Sequence, residues 1–165
     1  SCTQCIQDCP TDAIVKPYVV DARKCISYLT IENKAAIPEQ YRSAIGNRIY
    51  GCDDCQLVCP WNKFSSLTAE NDFHPRHKLD KTTLLELFAW TEQQFLDNLQ
   101  GSPIRRIGYI SWQRNISVAL GNYLARDPTN QDIIQALNRA LLNSKLKNIK
   151  LLEEHIEWAL KQGLP

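Results

Sequence analysis

All seven cysteines lie within the first 59 residues of this 165-residue chain, and their spacing limits its fold more than any other feature. Two runs share the spacing C-x2-C-x3-C, and a proline follows each run directly. One further cysteine lies between the runs. The first run contains Cys2, Cys5 and Cys9, the second contains Cys52, Cys55 and Cys59, and the isolated cysteine is Cys25. Repeated thiolate spacing of this kind indicates metal ligation in the N-terminal part of the chain.

Each run matches the bacterial ferredoxin run C-x2-C-x2-C-x3-C-P without its leading cysteine. The missing cysteine of the first run would lie three residues before Cys2, upstream of Ser1. Cys25 is available, through a long loop, to replace the missing cysteine of the second run. The seven cysteines and one upstream cysteine would make eight ligands, enough for two 4Fe-4S clusters.

Disulfides and zinc are the two alternative uses of these cysteines. The odd number of cysteines and the lack of a visible signal peptide disfavour a disulfide framework. Zinc is the stronger alternative, because C-x2-C pairs also form zinc knuckles. A tetrahedral zinc site uses two such pairs, however, and each run here has a third cysteine left over. The spacing therefore favours iron-sulfur clusters.

Composition gives few further indications of function. The net charge is +1 and the isoelectric point is about 7.5, so bulk charge does not indicate nucleic acid or a membrane as partner. No apolar run approaches the roughly 20 residues that a membrane span needs. Since reduced cysteine ligands occur without an export signal, we expect a cytoplasmic protein. The absence of methionine, even at position 1, favours a segment of a longer chain.

We predict three regions along the chain: a cluster module at 1–64, a linker at 65–81 and a helical domain at 82–165. A module this small takes much of its stability from metal bonds. Residues 26–51 form an insertion longer than closure of a ligand loop requires, and we expect it to form a wall of the active site.

The helical domain is predicted from apolar residues at three and four spacing. Thr82 or Thr83 can cap a first helix, and Thr91 can cap a second that ends at Gly101. Further helices are expected at about 111–125, 130–142 and 147–161. Antiparallel helix pairs of this length resemble a HEAT-type repeat. The predicted fold class is α+β, with a small ferredoxin-like 4Fe-4S module followed by an all-α HEAT-like domain.

Several longer blocks are more specific than the cysteine runs. They are DARKCISYLTIE at 21–32, GNRIYGCDDCQLVCPWN at 46–62, GSPIRR at 101–106, RN at 114–115 and ALGN at 119–122. These blocks resemble epoxyqueuosine reductases, and the resemblance covers essentially the whole chain. That family reduces epoxyqueuosine to queuosine at the wobble position of tRNA, using a cobalamin and two 4Fe-4S clusters. The resemblance implies the same reaction and cofactors here.

The resemblance also implies where the site residues lie. The cobalamin-binding domain and its acidic proton donor would precede Ser1, so no catalytic residue is expected in this segment. The stretch 25–28 would lie against the cobalamin with Ser27 in direct contact, and Cys52 and Asp53 complete the expected cofactor-binding set. Without the resemblance, Ser27 is a simple loop hydroxyl. The implied partners are tRNA with a GUN anticodon and a low-potential electron donor of flavodoxin or ferredoxin type. We expect a monomer that does not bind membranes.

Three arginines are candidate tRNA contacts. Arg105, Arg106 and Arg114 lie near one helix boundary and could converge on the phosphate backbone. Judged from the residues alone, contact with phosphate and a solvated helix face are equally supported. The family resemblance favours the RNA interpretation.

Two other functions fit parts of the sequence. One is a ferredoxin-like electron carrier fused to a helical interaction domain. The other is a relative of reductive dehalogenases, which share cobalamin and two clusters but act on small organohalides. Dehalogenases are not expected to carry the helical repeat or its arginines. Binding of tRNA with a GUN anticodon would separate these alternatives.

The x3 gap and the following proline predict crossed ligation, because in two-cluster ferredoxins the cysteine before proline ligates the other cluster. The first cluster should use Cys2, Cys5 and Cys59 with the upstream cysteine. The second should use Cys9, Cys25, Cys52 and Cys55. Cys9→Ala should then perturb the second cluster and Cys59→Ala the first, as measured by iron content and Mössbauer or paramagnetic resonance spectra. Loss of the same cluster in both variants would contradict crossed ligation.

Overall fold

The cluster module is built from short elements around the cysteines. The structure, a computed structural model, describes residues 2–164, so the outer ends of the predicted regions, Ser1 and Pro165, lie outside the described residues. Helix α1 (Gln4–Gln7) precedes an antiparallel hairpin of β1 (Ile14–Lys16) and β2 (Val19–Val20). Helix α3 (Asp54–Leu57) is followed by a 3-10 segment, Pro60–Phe64. Regular elements this short supply little apolar core, which fits a module that metal bonds stabilise.

The insertion does not stand apart as a loop. It contains a π-helix, Tyr28–Glu32, and helix α2 (Glu39–Ile45). Four apolar side chains of the insertion join the same core as the helical domain and are almost fully buried: Ile26, Leu29, Ile37 and Ile45. The region boundaries stay predictions, but this part of the 1–64 region shares a hydrophobic core with the later helices.

Helices α4 (Leu84–Phe88) and α5 (Glu92–Asn98) begin where the threonines predict. The Thr83 hydroxyl accepts from the Glu86 amide, and the Glu86 carboxylate accepts from the Thr83 amide. Thr91 and Gln94 form the same capping box at the start of α5. Both predicted N-terminal caps are confirmed. The linker contains a 3-10 turn at Asn71–Phe73, and another 3-10 segment, Pro103–Ile107, leads into α6.

Three longer helices complete the chain: α6 (Tyr109–Leu124), α7 (Gln131–Leu146) and α8 (Lys150–Lys161). Gly121 of α6 faces Trp158 and Ala159 of α8, and Gly163 beyond α8 faces Leu124. Because these contacts advance together along both helices, α6 and α8 run in the same direction. The short connection from α7 turns the chain back into α8, so α7 and α8 form an antiparallel pair.

The predicted fold class is confirmed: a small module with one two-stranded sheet is followed by an all-α part. The finer HEAT-type description stays a prediction. No helix among residues 2–164 is both long enough and apolar enough to cross a membrane.

The close approach of α6 and α8 requires glycine at position 121. A Cβ there would lie 2.7 Å from the Trp158 ring and 2.8 Å from the Ala159 Cα. Gly121→Ala should therefore lower the free energy of unfolding by about 1–3 kcal/mol, the usual cost of overpacking a core. Denaturant unfolding of the cluster-loaded protein would measure the loss.

Gly163→Ala is the matched control, because its nearest neighbour would lie at an ordinary 3.5 Å. Equal unfolding midpoints for the two variants would show that the helices can separate without cost.

Candidate metal centre

The fold brings thiols of both cysteine runs together. Helices α1 and α3, which each carry the middle cysteine of one run, contact each other. Burial raises the pKa of the Cys55 thiol, and the nearby thiols of Cys25, Cys5 and Cys9 raise it further. Cys55 therefore lies close to members of the other run and to the isolated cysteine. That proximity is what clusters with shared ligands require, although it does not assign each thiol to a cluster.

Cys9 lies in a turn whose amides point at its sulfur. The Ala13 amide donates to the Cys9 Sγ at 3.2 Å. Burial opposes ionisation of this thiol, but the amides of Thr11, Ala13 and Ile14 outweigh burial and lower the pKa of Cys9. Amide hydrogen bonds to a cysteine sulfur are typical of iron-sulfur sites, where they help to set the potential of the cluster.

Cys52 lies in a different environment from Cys9. Burial raises the pKa of the Cys52 thiol, and the Asp54 amide partly offsets that rise. Ligation requires the thiolate, so a metal that binds Cys52 must displace this proton.

The donor set fits iron-sulfur chemistry. All seven cysteines are free thiols, and five of them are partly shielded from solvent. Among the described residues, no three His, Cys, Asp or Glu side chains converge where they could hold a single metal ion. The fit therefore rests on the number of thiols, on their grouping around Cys55 and on the amides that point at Cys9.

The predicted cofactor-binding residues Ser27, Cys52 and Asp53 lie together. The Ser27 hydroxyl accepts from the Cys52 amide at 3.0 Å and donates to the Cys52 carbonyl at 3.3 Å. Asp53 is exposed next to this pair and accepts a hydrogen bond from Gln56. Ser27 thus spans the gap between the Cys25 loop and the second run, while direct contact of these residues with a cofactor stays a prediction.

The prediction that Arg114 binds tRNA phosphate is wrong. Its side chain is fully buried on α6, and its five N–H groups are all occupied. They donate to the carbonyls of Leu29, Asn33 and Ala35 and, twice, to the Asn115 side chain. Burial lowers the pKa of Arg114 to about 10, so the guanidinium stays charged at neutral pH. Arg114 holds the insertion against α6 and cannot reach a phosphate.

Arg105 and Arg106 are exposed, in the 3-10 segment before α6. Arg106 forms an ion pair with Glu32 of the π-helix at 2.7 Å, and both side chains are half exposed. Surface pairs of this kind are weak and can exchange for a phosphate. These two arginines stay candidates for RNA contact.

Sequence reasoning missed the roles of two asparagines on α6. Asn115 donates to the carbonyls of Thr30 and Ile49, and Asn122 donates to those of Arg42 and Gly46. Both side chains therefore bind the backbone of the insertion. The signal was present, since Arg114, Asn115 and Asn122 are polar residues on a helix with apolar residues at three and four spacing, but periodicity alone does not identify the partners of a polar residue.

A cavity of about 460 Å³ lies among α4, α6, α7 and α8. Its walls include Phe88, Trp90 and Ile156, with Arg139 and Lys147 among the lining residues. No residue of the 1–64 region lines it. The cavity is therefore separate from the thiols.

Comparison with known proteins agrees with this geometry. Residues 1–62 match the family described as 4Fe-4S double cluster binding domain. Over 99% of its length, the chain is 57% identical to the epoxyqueuosine reductase of Salmonella typhimurium, and it spans 40% of that relative. The chain thus covers about two fifths of the length of such curated relatives.

Solved structures of similar proteins have the same fold. A structure of epoxyqueuosine reductase from Streptococcus thermophilus matches with a TM-score of 0.79 and 26% identity, over 98% of this chain and 40% of that one. An epoxyqueuosine reductase crystallised with an epoxyqueuosine-modified stem loop of tRNA-Tyr matches with a TM-score of 0.66 and 27% identity. That match covers 98% of this chain and 49% of the other.

Proposed function

Because the chain belongs to the epoxyqueuosine reductase family over the length that it spans, we propose that it serves the reduction of epoxyqueuosine to queuosine at the wobble position of tRNA. The observation that carries this proposal is 57% identity over 99% of the chain. The convergence of both cysteine runs on Cys55 is what an electron-transfer part of such an enzyme needs.

The reaction defines what the residues must do. Converting an epoxide to an alkene consumes two electrons and two protons and releases water. A 4Fe-4S cluster passes one electron at a time, and its potential is set within roughly −700 to +450 mV by charge, hydrogen bonds and burial. The amides that point at Cys9 and the partial burial of Cys52 are features of this chain that would set those potentials.

The cobalamin would be held beside the second cysteine run. When bound, it would supply the low-potential cobalt centre for cleavage of the carbon-oxygen bond. The residues that would lie against it are Ser27, Cys52 and Asp53, which the fold places together. Ser27 already holds the Cys52 backbone, so its role would be to fix the position of the cofactor relative to the cluster ligand. The proton donor is expected upstream of Ser1.

The substrate would be tRNA with a GUN anticodon. A related enzyme binds an epoxyqueuosine-modified tRNA stem loop, and Arg105 and Arg106 offer exposed positive charge beside the insertion. A flavodoxin-type or ferredoxin-type protein would donate the electrons. We further propose that the protein is a cytoplasmic monomer with a HEAT-like helical domain.

Turnover under anaerobic conditions tests the proposal directly. The full-length protein, loaded with clusters and cobalamin and supplied with a low-potential reductant, should convert epoxyqueuosine in tRNA to queuosine. Nucleoside analysis by mass spectrometry would measure the product. Undiminished turnover by cobalamin-free protein would contradict the proposed role of the cofactor.

Neutralising the exposed arginines tests tRNA docking. Arg105→Gln with Arg106→Gln should weaken tRNA binding and flatten its salt dependence, by a log-log slope of roughly 0.7 to 0.9 for each phosphate that the protein no longer binds. Cluster absorbance should stay unchanged. Arg126→Gln is the matched control, since Arg126 is exposed beyond the far end of α6, about 24 Å along a 16-residue helix. An unaltered slope in the double variant would assign Arg105 and Arg106 to the solvated face.

A further inference from the structure

We propose that Thr30 and Asn115 are positioning residues that, with Ser27, hold Cys52 in register with Cys25 and thereby set the properties of the cluster that both cysteines ligate. We call these three residues the ligand-loop network. The inference deepens the proposed function, because it rests on Cys25 and Cys52 serving one cluster. It assigns a role in that cluster to a side chain on a distant helix.

The network holds both peptide groups around Cys52. The Thr30 hydroxyl accepts from the Gly51 amide at 3.0 Å. The Ser27 hydroxyl accepts from the Cys52 amide at 3.0 Å and donates to its carbonyl. With the amide and carbonyl both fixed, the direction of the Cα–Cβ bond of Cys52 is fixed as well. Ser27 and Thr30 follow Cys25 within five residues, so these hydrogen bonds tie the Cys25 loop to the Cys52 segment.

Gly51 allows this arrangement. Its φ of +72° lies in the left-handed region, which favours glycine, and this conformation lets successive amides reach the two hydroxyls. The Ile31 side chain and the Ser27 hydroxyl lie 3.7 and 3.9 Å from the position of a Cβ, so the segment rests closely on the π-helix.

Thr30 is itself held from both sides. Its fully buried hydroxyl donates to the Ile26 carbonyl, one turn earlier, at 2.7 Å. Its carbonyl accepts from the Asn115 amide nitrogen at 2.8 Å, and the same nitrogen donates to the Ile49 carbonyl at 2.9 Å. Asn115 therefore joins Ile49 to the π-helix residue Thr30, whose hydroxyl binds the Gly51 amide just before Cys52.

Removing a residue of the ligand-loop network should alter the cluster that Cys52 ligates. Groups that orient a ligand without touching the metal typically change metal affinity by 10–100-fold when removed. Hydrogen bonding and solvent exposure also set the potential of a cluster. Loosening Cys52 should change both properties for its own cluster and leave the other cluster unchanged.

Thr30→Val is the sharpest variant, because it keeps the shape of the side chain and removes the acceptor for Gly51. Asn115→Ala tests the connection to α6. Each has a matched control. Ser117→Ala removes a fully buried hydroxyl with the same bond to the carbonyl one turn earlier, and Asn122→Ala removes an amide on the same helix that binds two insertion carbonyls away from the ligand loop.

The readouts are iron release to a chelator, paramagnetic resonance of each reduced cluster and its midpoint potential, all in the cluster-loaded full-length protein without oxygen. Thr30→Val and Asn115→Ala should release iron from one cluster roughly tenfold faster. They should also shift the resonance and potential of that cluster alone, and Thr30→Ser should restore them. The two controls should match the wild type in both cluster signals.

Wild-type signals in Thr30→Val would overturn the inference. So would equal changes in Thr30→Val and Ser117→Ala, because loss of general stability would then explain both. None of these readouts uses the substrate. If the variants change one cluster selectively but the wild-type protein does not reduce epoxyqueuosine, the proposed function is wrong and the inference about the ligand-loop network still holds.

Discussion

A buried arginine on α6 is the interaction on which the rest of the structure depends. Arg114 carries a charge at a fully buried position, and each of its N–H groups donates to an oxygen. Burying a guanidinium is unfavourable unless every donor is satisfied. In return, the arginine supplies hydrogen-bond donors to the carbonyls of Leu29, Asn33 and Ala35 in the insertion. The arginine and the insertion therefore require each other.

Other polar side chains along helix α6 also donate to backbone carbonyls. Trp112 and Gln113 donate to the carbonyls of Leu87 and Phe88 at the end of α4. Asn115 and Asn122 bind the insertion, and Gly121 admits α8. The polar residues of α6 thus donate to backbone carbonyls of α4 and of the insertion, which allows a long insertion to be buried.

Helix α8 reaches the same insertion from the other side. The Ile37 amide donates to the His155 Nε2 at 3.0 Å, and the Nδ1 of the same ring donates to the Leu151 carbonyl. Burial lowers the pKa of His155 to about 4, so at neutral pH the ring is uncharged and Nε2 can accept. Arg42 adds an ion pair with Glu154 and lies over the Trp158 ring. The insertion thereby connects the second cysteine run to the helical domain through hydrogen bonds on two sides.

The sequence by itself determined the features that depend on local spacing. The cysteine runs predicted the double-cluster module that the family match supports. Two helix starts were predicted from Thr82 or Thr83 and from Thr91, because a cap needs only residues three positions apart, and the structure selects Thr83 for the first. The ligand set of each cluster stays a prediction. Only the tertiary structure decided what Arg114, Asn115 and Asn122 do, since their partners lie 66 to 85 residues away in the chain. A polar side chain on a helix has the same sequence pattern whether it meets water, RNA or a buried carbonyl, and packing alone selects among these.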